Sequence, residues 1–173
     1  WLGPNANPID TVEENFLNSW TFSTPAENGW IFKWMTDTYQ TSFNNVANYV
    51  VADTLSVPAI AKSLKNGNLF IAFKSLGDAK GFMFCSKNGK GELSGILGDS
   101  VKADQVKSLY AVSPLPGQFR LIQDGKTVVV SSEDQYQFSW IQPTRKGVYR
   151  VELHIKLGQE YIPWVYSNPI YVY

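Results

Sequence analysis

Alternation of apolar and polar residues is the clearest pattern in the C-terminal half of the chain. Between residues 149 and 157, five apolar side chains alternate with four charged or polar ones. The apolar set is Tyr149, Val151, Leu153, Ile155 and Leu157, and the polar set is Arg150, Glu152, His154 and Lys156. A period of two is typical of a half-buried antiparallel strand. The same period predicts a second strand over 136–140, with Tyr136, Phe138 and Trp140 on one face.

Turn residues separate the other apolar segments of this half. Asp124-Gly125 lies between FRLIQ and KTVVV, which predicts a β-hairpin. Pro116-Gly117 follows SLYAVSP and predicts another turn, as does the glycine-rich segment KNGKGELSG. About six or seven short strands at this spacing predict a mainly β fold: an antiparallel immunoglobulin-like β-sandwich with one or two short helices in its N-terminal part.

Helical periodicity occurs at two places. In residues 56–67, Ser56 is a suitable N-cap, Pro58 lies in the first turn and Gly67 can end the helix in a left-handed conformation. Its predicted apolar stripe consists of Val57, Ile60, Ala61 and Leu64. A shorter pattern, capped by Asp10 or Thr11, contains Val12, Phe16 and Trp20. We therefore divide the chain into an aromatic-rich lead-in segment with a short helix, 1–54, and a β-sandwich domain, 55–173.

Composition excludes some classes of partner. The 15 Lys and Arg residues balance 15 Asp and Glu residues, so the chain lacks the positive field expected of a protein that binds nucleic acid or an anionic membrane. No apolar run reaches the ~18 residues of a membrane span. The start, WLGPNANPID, lacks the features of a signal peptide, and we expect the chain to be a fragment. Its cellular compartment is left open.

Candidate catalytic groups are few. His154 is the single histidine and lies on the predicted polar face, so we expect a solvent-facing structural residue rather than a general base or metal ligand. Cys85 lies in a predicted strand, which favours an inert buried thiol. Four aspartates lie near predicted loop ends: Asp53, Asp78, Asp99 and Asp104. They could bind Ca²⁺ only if the fold brought their carboxylates together, and we expect them to be solvated charges instead. The sequence therefore predicts no catalytic, metal-binding or cofactor-binding residue.

Aromatic residues are dense in the first fifty positions. With Trp164 near the other end of the chain, we consider Trp20, Trp30, Trp34 and Tyr39 to be candidate interface or binding aromatics. One hypothesis is a stacking platform for sugars. The other, which we favour, is a hydrophobic seam that packs on the sandwich or on a neighbouring domain.

The end of the chain, GVYRVELHI followed by YIPWVYSNPIYV, resembles a known C-terminal pattern. It is similar to the end of bacterial proteins that carry a polymerase-and-histidinol-phosphatase (PHP) type metallophosphoesterase domain. The matching positions include Tyr149, Arg150, Glu152, Pro163, Trp164, Ser167, Asn168 and Pro169. The segments LSVPAIAKSLKNGNLFIAF, LGDAKGFMF and FRLIQDGKTV resemble the same proteins in the same order, so that the resemblance covers residues 39–173.

The resemblance implies an accessory role. In such proteins the catalytic part is a barrel lined with many His and Asp ligands for a metal cluster, whereas this chain has one His. The chain would then be a non-catalytic β-sandwich without a cofactor, packed on an upstream barrel that is absent from it. Residues 149–157 would form a central strand, Trp164 would anchor the next one, and Asn168-Pro169 would turn the chain into a closing strand. A carbohydrate-binding module using the N-terminal aromatics is the alternative.

Overall fold

Strands dominate the structure, a computed structural model that describes residues 45–141 and 145–173. Helix α1 spans Val57–Asn66. The strands are β1 Val46–Val50, β2 Leu69–Phe73, β3 Met83–Lys87, β4 Leu93–Ile96, β5 Ser100–Val101, β6 Ser108–Gln123, β7 Lys126–Val130, β8 Gln135–Trp140, β9 Gly147–Leu157, β10 Glu160–Ser167 and β11 Ile170–Val172. Short 3-10 turns occur at Lys74–Leu76 and Ala103–Gln105. The predicted mainly β, antiparallel, sandwich-like class is confirmed, with more strands than the six or seven expected.

Two sheets share one long strand. The first sheet has the order β1-β2-β10-β9-β6, with β7 also on β6 and with β11 pairing both β9 and β5. The second sheet consists of β4, β3, the first half of β6, and β8. All pairs are antiparallel except β11 with β5. Strand β6 pairs with β3 as far as Val112 and with β9 from Gln118 onward, so it passes from one sheet into the other.

The turn predicted at Pro116-Gly117 is wrong. The backbone continues through these residues as part of β6, with an irregularity in the pairing to β8 between Val112 and Gly117. A Cβ atom at Gly117 would lie 2.6 Å from the carbonyl oxygen of His154. Gly117 therefore allows the paired strands β6 and β9 to approach closely, and the chain does not reverse here.

The core lies between the inner faces of the two sheets. Its largest fully buried side chains are Trp164, Tyr149, Phe84, Phe119, Leu97, Leu109, Leu121 and Leu153. Phe119 and Phe138 stack across the interior, with ring centroids 5.7 Å apart. Each such side chain contributes about 1.5–3 kcal/mol by leaving water, so this cluster dominates the stability of the fold.

Helix α1 begins and ends where the sequence predicts, but the face that it buries is not the predicted one. Ser56 Oγ accepts a hydrogen bond from the Ala59 amide at 3.4 Å, and Gly67 has the predicted left-handed backbone, φ 77°. The predicted apolar stripe is not buried: Val57 is 82% exposed and Leu64 is 50% exposed, whereas Ser63 is buried. Caps fix where a helix begins and ends, whereas its rotation depends on what it packs against.

The predicted hairpin is present. Asp124, φ 48°, and Gly125, φ 80°, form the turn between β6 and β7. Strand β1 belongs to the compact unit Asn45–Tyr173, because it pairs with β2 along its full length. The helix predicted around residues 12–20 lies outside the described residues. None of the helices within the described ranges is long and apolar enough to cross a membrane.

Candidate functional site

Two residues of the C-terminal motif stabilise the centre of the first sheet. Tyr149 is fully buried, and its hydroxyl donates to the Arg145 carbonyl at 2.8 Å. Burial raises the pKa of this phenol, as does the Asp124 carboxylate to a smaller extent. Ser167 Oγ accepts a hydrogen bond from the buried Val151 amide at 2.9 Å. Both residues therefore have structural partners and face no open site.

The turn at Asn168-Pro169 of the C-terminal motif connects β10 to distant parts of the chain. Asn168 Nδ2 donates to the Gly67 carbonyl at 2.9 Å, and the Pro169 carbonyl accepts from the Gly98 amide at 2.7 Å. Beyond the turn, the buried Ile170 pairs with Tyr149 of β9. The prediction that the end of the chain closes the fold is confirmed.

Trp164 does not belong to an exposed aromatic surface. It is fully buried, and its indole N–H donates to the Gly77 carbonyl at 3.3 Å. The reason is a bulge in β10 at Pro163–Val165, which turns both Trp164 and Val165 into the core. Trp20, Trp30, Trp34 and Tyr39 lie outside the described residues, so both hypotheses about the N-terminal aromatics stay predictions.

An apolar groove of about 230 Å³ lies where β2 and β10 meet the turn after β2. Strands β2 and β10, together with the turn after β2, supply its walls: Phe73, Ser75, Leu76, Ile162, Pro163 and Tyr166. The rings of Phe73 and Tyr166 meet edge to face, 6.3 Å apart. Pro163 has no N–H to satisfy, and its pyrrolidine ring adds apolar surface at the bulge.

The groove continues into the neighbouring strands. Val46 pairs with Phe73, and Tyr166 pairs with Ile71, so the four side chains lie on one face of the sheet. Val46 is 46% exposed and Ile71 is 38% exposed. We call the groove residues together with Val46 and Ile71 the apolar face.

A charged cluster borders the apolar face on β9. Register places Glu152 beside Tyr166, and His154 beside Pro163. Arg150 forms an ion pair with Glu152 at 2.6 Å, and Glu152 Oε2 lies 3.3 Å from His154 Nε2. Arg120 of β6 lies opposite Glu152, so the cluster places two arginines around one glutamate.

The expectation that His154 faces solvent is wrong. It is only 5% exposed, and its Nδ1 is buried without a hydrogen-bond partner in the structure. Burial lowers the pKa of the imidazole; the hydrogen bond to Glu152 opposes this effect, and Arg120 lowers the pKa further. Strand alternation assigns a side chain to a face of the sheet but does not say whether that face is covered.

Of the remaining candidates, only Asp53 and Asp99 lie at one place. Burial raises the pKa of the Cys85 thiol, against a smaller opposing effect of Lys87, and the side chain is buried as predicted. Asp78 accepts hydrogen bonds from the Lys80 amide and the Tyr49 hydroxyl, which lower the pKa of its carboxyl. Asp53 and Asp99 line one cleft, whereas Asp104 lies in a 3-10 turn. Within residues 45–141 and 145–173, no three His, Cys, Asp or Glu side chains are placed to hold a metal ion.

The sequence interpretation missed the apolar face. Alternation in LFIAF could have assigned Ile71 and Phe73 to one side of a strand, but nothing local pairs that strand with residues some ninety positions later. Comparison of the chain with protein-family models, with curated proteins and with solved structures gave no match.

Proposed function

We propose that this chain is a non-catalytic accessory β-sandwich of a PHP-type metal-dependent phosphoesterase, and that it packs on a catalytic barrel through the apolar face. The observation that carries the proposal is the apolar face itself. Large side chains of β1, β2 and β10 leave a groove and two flanking residues exposed. Contiguous exposed apolar surface of this kind marks an interaction site.

The surroundings of the apolar face suit a protein partner. Tyr166 and Phe73 offer aromatic edges, and aromatic residues are enriched at the centres of interfaces. The adjacent Arg150–Glu152 ion pair supplies a polar rim. The groove itself is lined by uncharged residues, so a partner would bury it without leaving an isolated charge in the interface, which is the costly arrangement.

The chain's own residues support a non-catalytic role. Its single histidine is buried and paired with Glu152, and its single cysteine is a buried thiol. A metal cluster of the kind implied by the resemblance needs several imidazole and carboxylate ligands. In this proposal the barrel supplies them, and the sandwich supplies only surface.

Binding to a purified PHP-type barrel domain tests the proposal. We expect association of the wild-type chain, measured by isothermal titration, and at least a tenfold loss of affinity for Ile162→Asp, which places a charge in the groove. Leu93→Asp is the matched control, because Leu93 is 62% exposed in the second sheet. Equal affinities of the two variants, with both folded by circular dichroism, would refute docking through the apolar face.

A phosphatase assay tests the absence of catalysis. The chain alone should not hydrolyse p-nitrophenyl phosphate with Mn²⁺, Fe²⁺ or Zn²⁺. Metal-dependent turnover that His154→Ala abolishes would contradict the proposal. The carbohydrate-binding hypothesis depends on aromatics outside the described residues, and a glycan array with the whole chain tests it separately.

A further inference from the structure

A second concavity lies at the opposite end of β2 from the apolar face. This cleft has a volume of about 230 Å³ and is lined mainly by polar groups. Helix α1 forms one wall, the segment after β1 forms another, and the turn between β4 and β5 forms the third. Nothing in the proposed docking role uses it.

Two glycines in contact hold the walls together. A Cβ atom at Gly98 would lie 2.5 Å from the carbonyl carbon of Gly67, which ends α1. Gly98 also has a left-handed backbone, φ 94°, and its amide donates to the Pro169 carbonyl. The helix end and the β4–β5 turn therefore have a fixed separation, so that the cleft is a built feature of the fold.

The floor of the cleft is a fixed polar pair. Asn68 is 6% exposed, and its Nδ2 donates to the Leu97 carbonyl at 2.8 Å and to Asp99 Oδ1 at 3.1 Å. The other oxygen of Asp99 accepts from the Ile96 amide at 2.9 Å. A carboxylate has about four acceptor positions, so Asp99 is held in place and still has capacity for a cationic donor.

Opposite charges and a small apolar patch share this cleft. Asp53 and Asp99 lie on two walls, and Lys62 lies on the third. Among the described residues, no ion pair joins Lys62 to either aspartate. Apolar contact is supplied by Val51, Ala59 and Ile96.

We propose that the cleft binds a small zwitterion, an α-amino acid with a short aliphatic side chain. Its ammonium group would lie against Asp53 and Asp99, and its carboxylate against Lys62. Its side chain would contact the patch of Val51, Ala59 and Ile96. The proposed role is binding. The proposal is independent of docking through the apolar face.

Titration calorimetry of the whole chain with L-valine and its two half-molecules tests this assignment. Isobutylamine lacks the carboxylate of valine, and isovalerate lacks its ammonium group. We expect valine to bind and each half-molecule to bind at least tenfold more weakly, because each loses one charged contact. Equal affinities for valine and either half-molecule would overturn the zwitterion assignment. The absence of binding at about 10 mM valine would overturn it as well, because this concentration is above the millimolar Kd of a weak ligand.

Surface substitutions locate the site. Lys62→Gln and Asp53→Asn change exposed residues, so both variants should fold, and each should weaken valine binding at least tenfold. Lys65→Gln is the control on the same helix, since Lys65 is exposed and does not line the cleft. Unchanged affinity of Lys62→Gln would place valine elsewhere and overturn the proposal. Binding of glucose in place of valine would overturn the ligand class.

Discussion

Replacing Trp164 by alanine removes the largest fully buried side chain of the core. A buried tryptophan removes roughly 150–250 Å² from water, which corresponds to ~4–6 kcal/mol at about 25 cal/mol per Å². Large-to-small substitutions of this type cost ~3–5 kcal/mol because the site collapses in part. We therefore expect a loss of about 4 kcal/mol, a large share of the ~5–15 kcal/mol typical of a whole domain.

The variant Trp164→Phe separates packing from hydrogen bonding. Phenylalanine retains most of the apolar contact but leaves the Gly77 carbonyl without its indole donor, so we expect a loss of about 1–2 kcal/mol. Urea unfolding followed by circular dichroism measures both values. Tyr173→Ala is the control, because this side chain is 57% exposed and should change stability by less than about 0.5 kcal/mol. A loss below about 1 kcal/mol for Trp164→Ala would show that the end of β10 is not anchored as the structure shows.

Three other substitutions have defined outcomes. Gly98→Ala should lower the free energy of unfolding, measured with urea, by more than about 2 kcal/mol. Residue 98 has a left-handed backbone, and a Cβ atom there would overlap the end of α1. Gly89→Ala is the control and should be nearly neutral, because a Cβ atom at residue 89 has nothing within 4 Å. Ser167→Ala should cost about 1–3 kcal/mol, because it leaves the buried Val151 amide without an acceptor; a neutral effect would mean that another group replaces the hydroxyl. Burial lowers the pKa of folded His154, so below the ordinary value of 6.5 the unfolded chain binds more protons than the folded one. The free energy of unfolding should therefore decline as pH falls from 6.5 toward the folded pKa. His154→Gln should make the free energy of unfolding less dependent on pH in this range. Identical pH profiles of wild type and His154→Gln would show that the ring's burial does not influence stability.

Local chemistry explains what the sequence predicted well. Ser56 and Gly67 fix the ends of α1, and Asp124-Gly125 fixes a hairpin, because caps and turns depend on neighbouring residues alone. The strand at 149–157 was recognisable because one of its faces is consistently apolar. The resemblance identified Trp164 as an anchor but could not show the β-bulge that places it in the core.

Long-range pairing explains what the sequence did not predict. The groove requires Phe73 of β2 and Ile162 of β10 to be adjacent, and the cleft requires Asn68 to reach Asp99 across an intervening hairpin. Gly117 was interpreted as a turn residue because the residues next to it in the sequence do not show that the His154 carbonyl lies close to it. The candidate sites are therefore products of topology, and single-sequence periodicity does not show which strands are adjacent.

The sharing of β6 has a mechanical consequence. A sandwich whose sheets meet only through side chains can, in principle, lose one layer while the other persists. Here the same backbone supplies ladder hydrogen bonds to β3 and β8 at one end and to β9 and β7 at the other. Peeling either layer would pull on the other through a covalent chain, so that the two layers should come apart together, in one step.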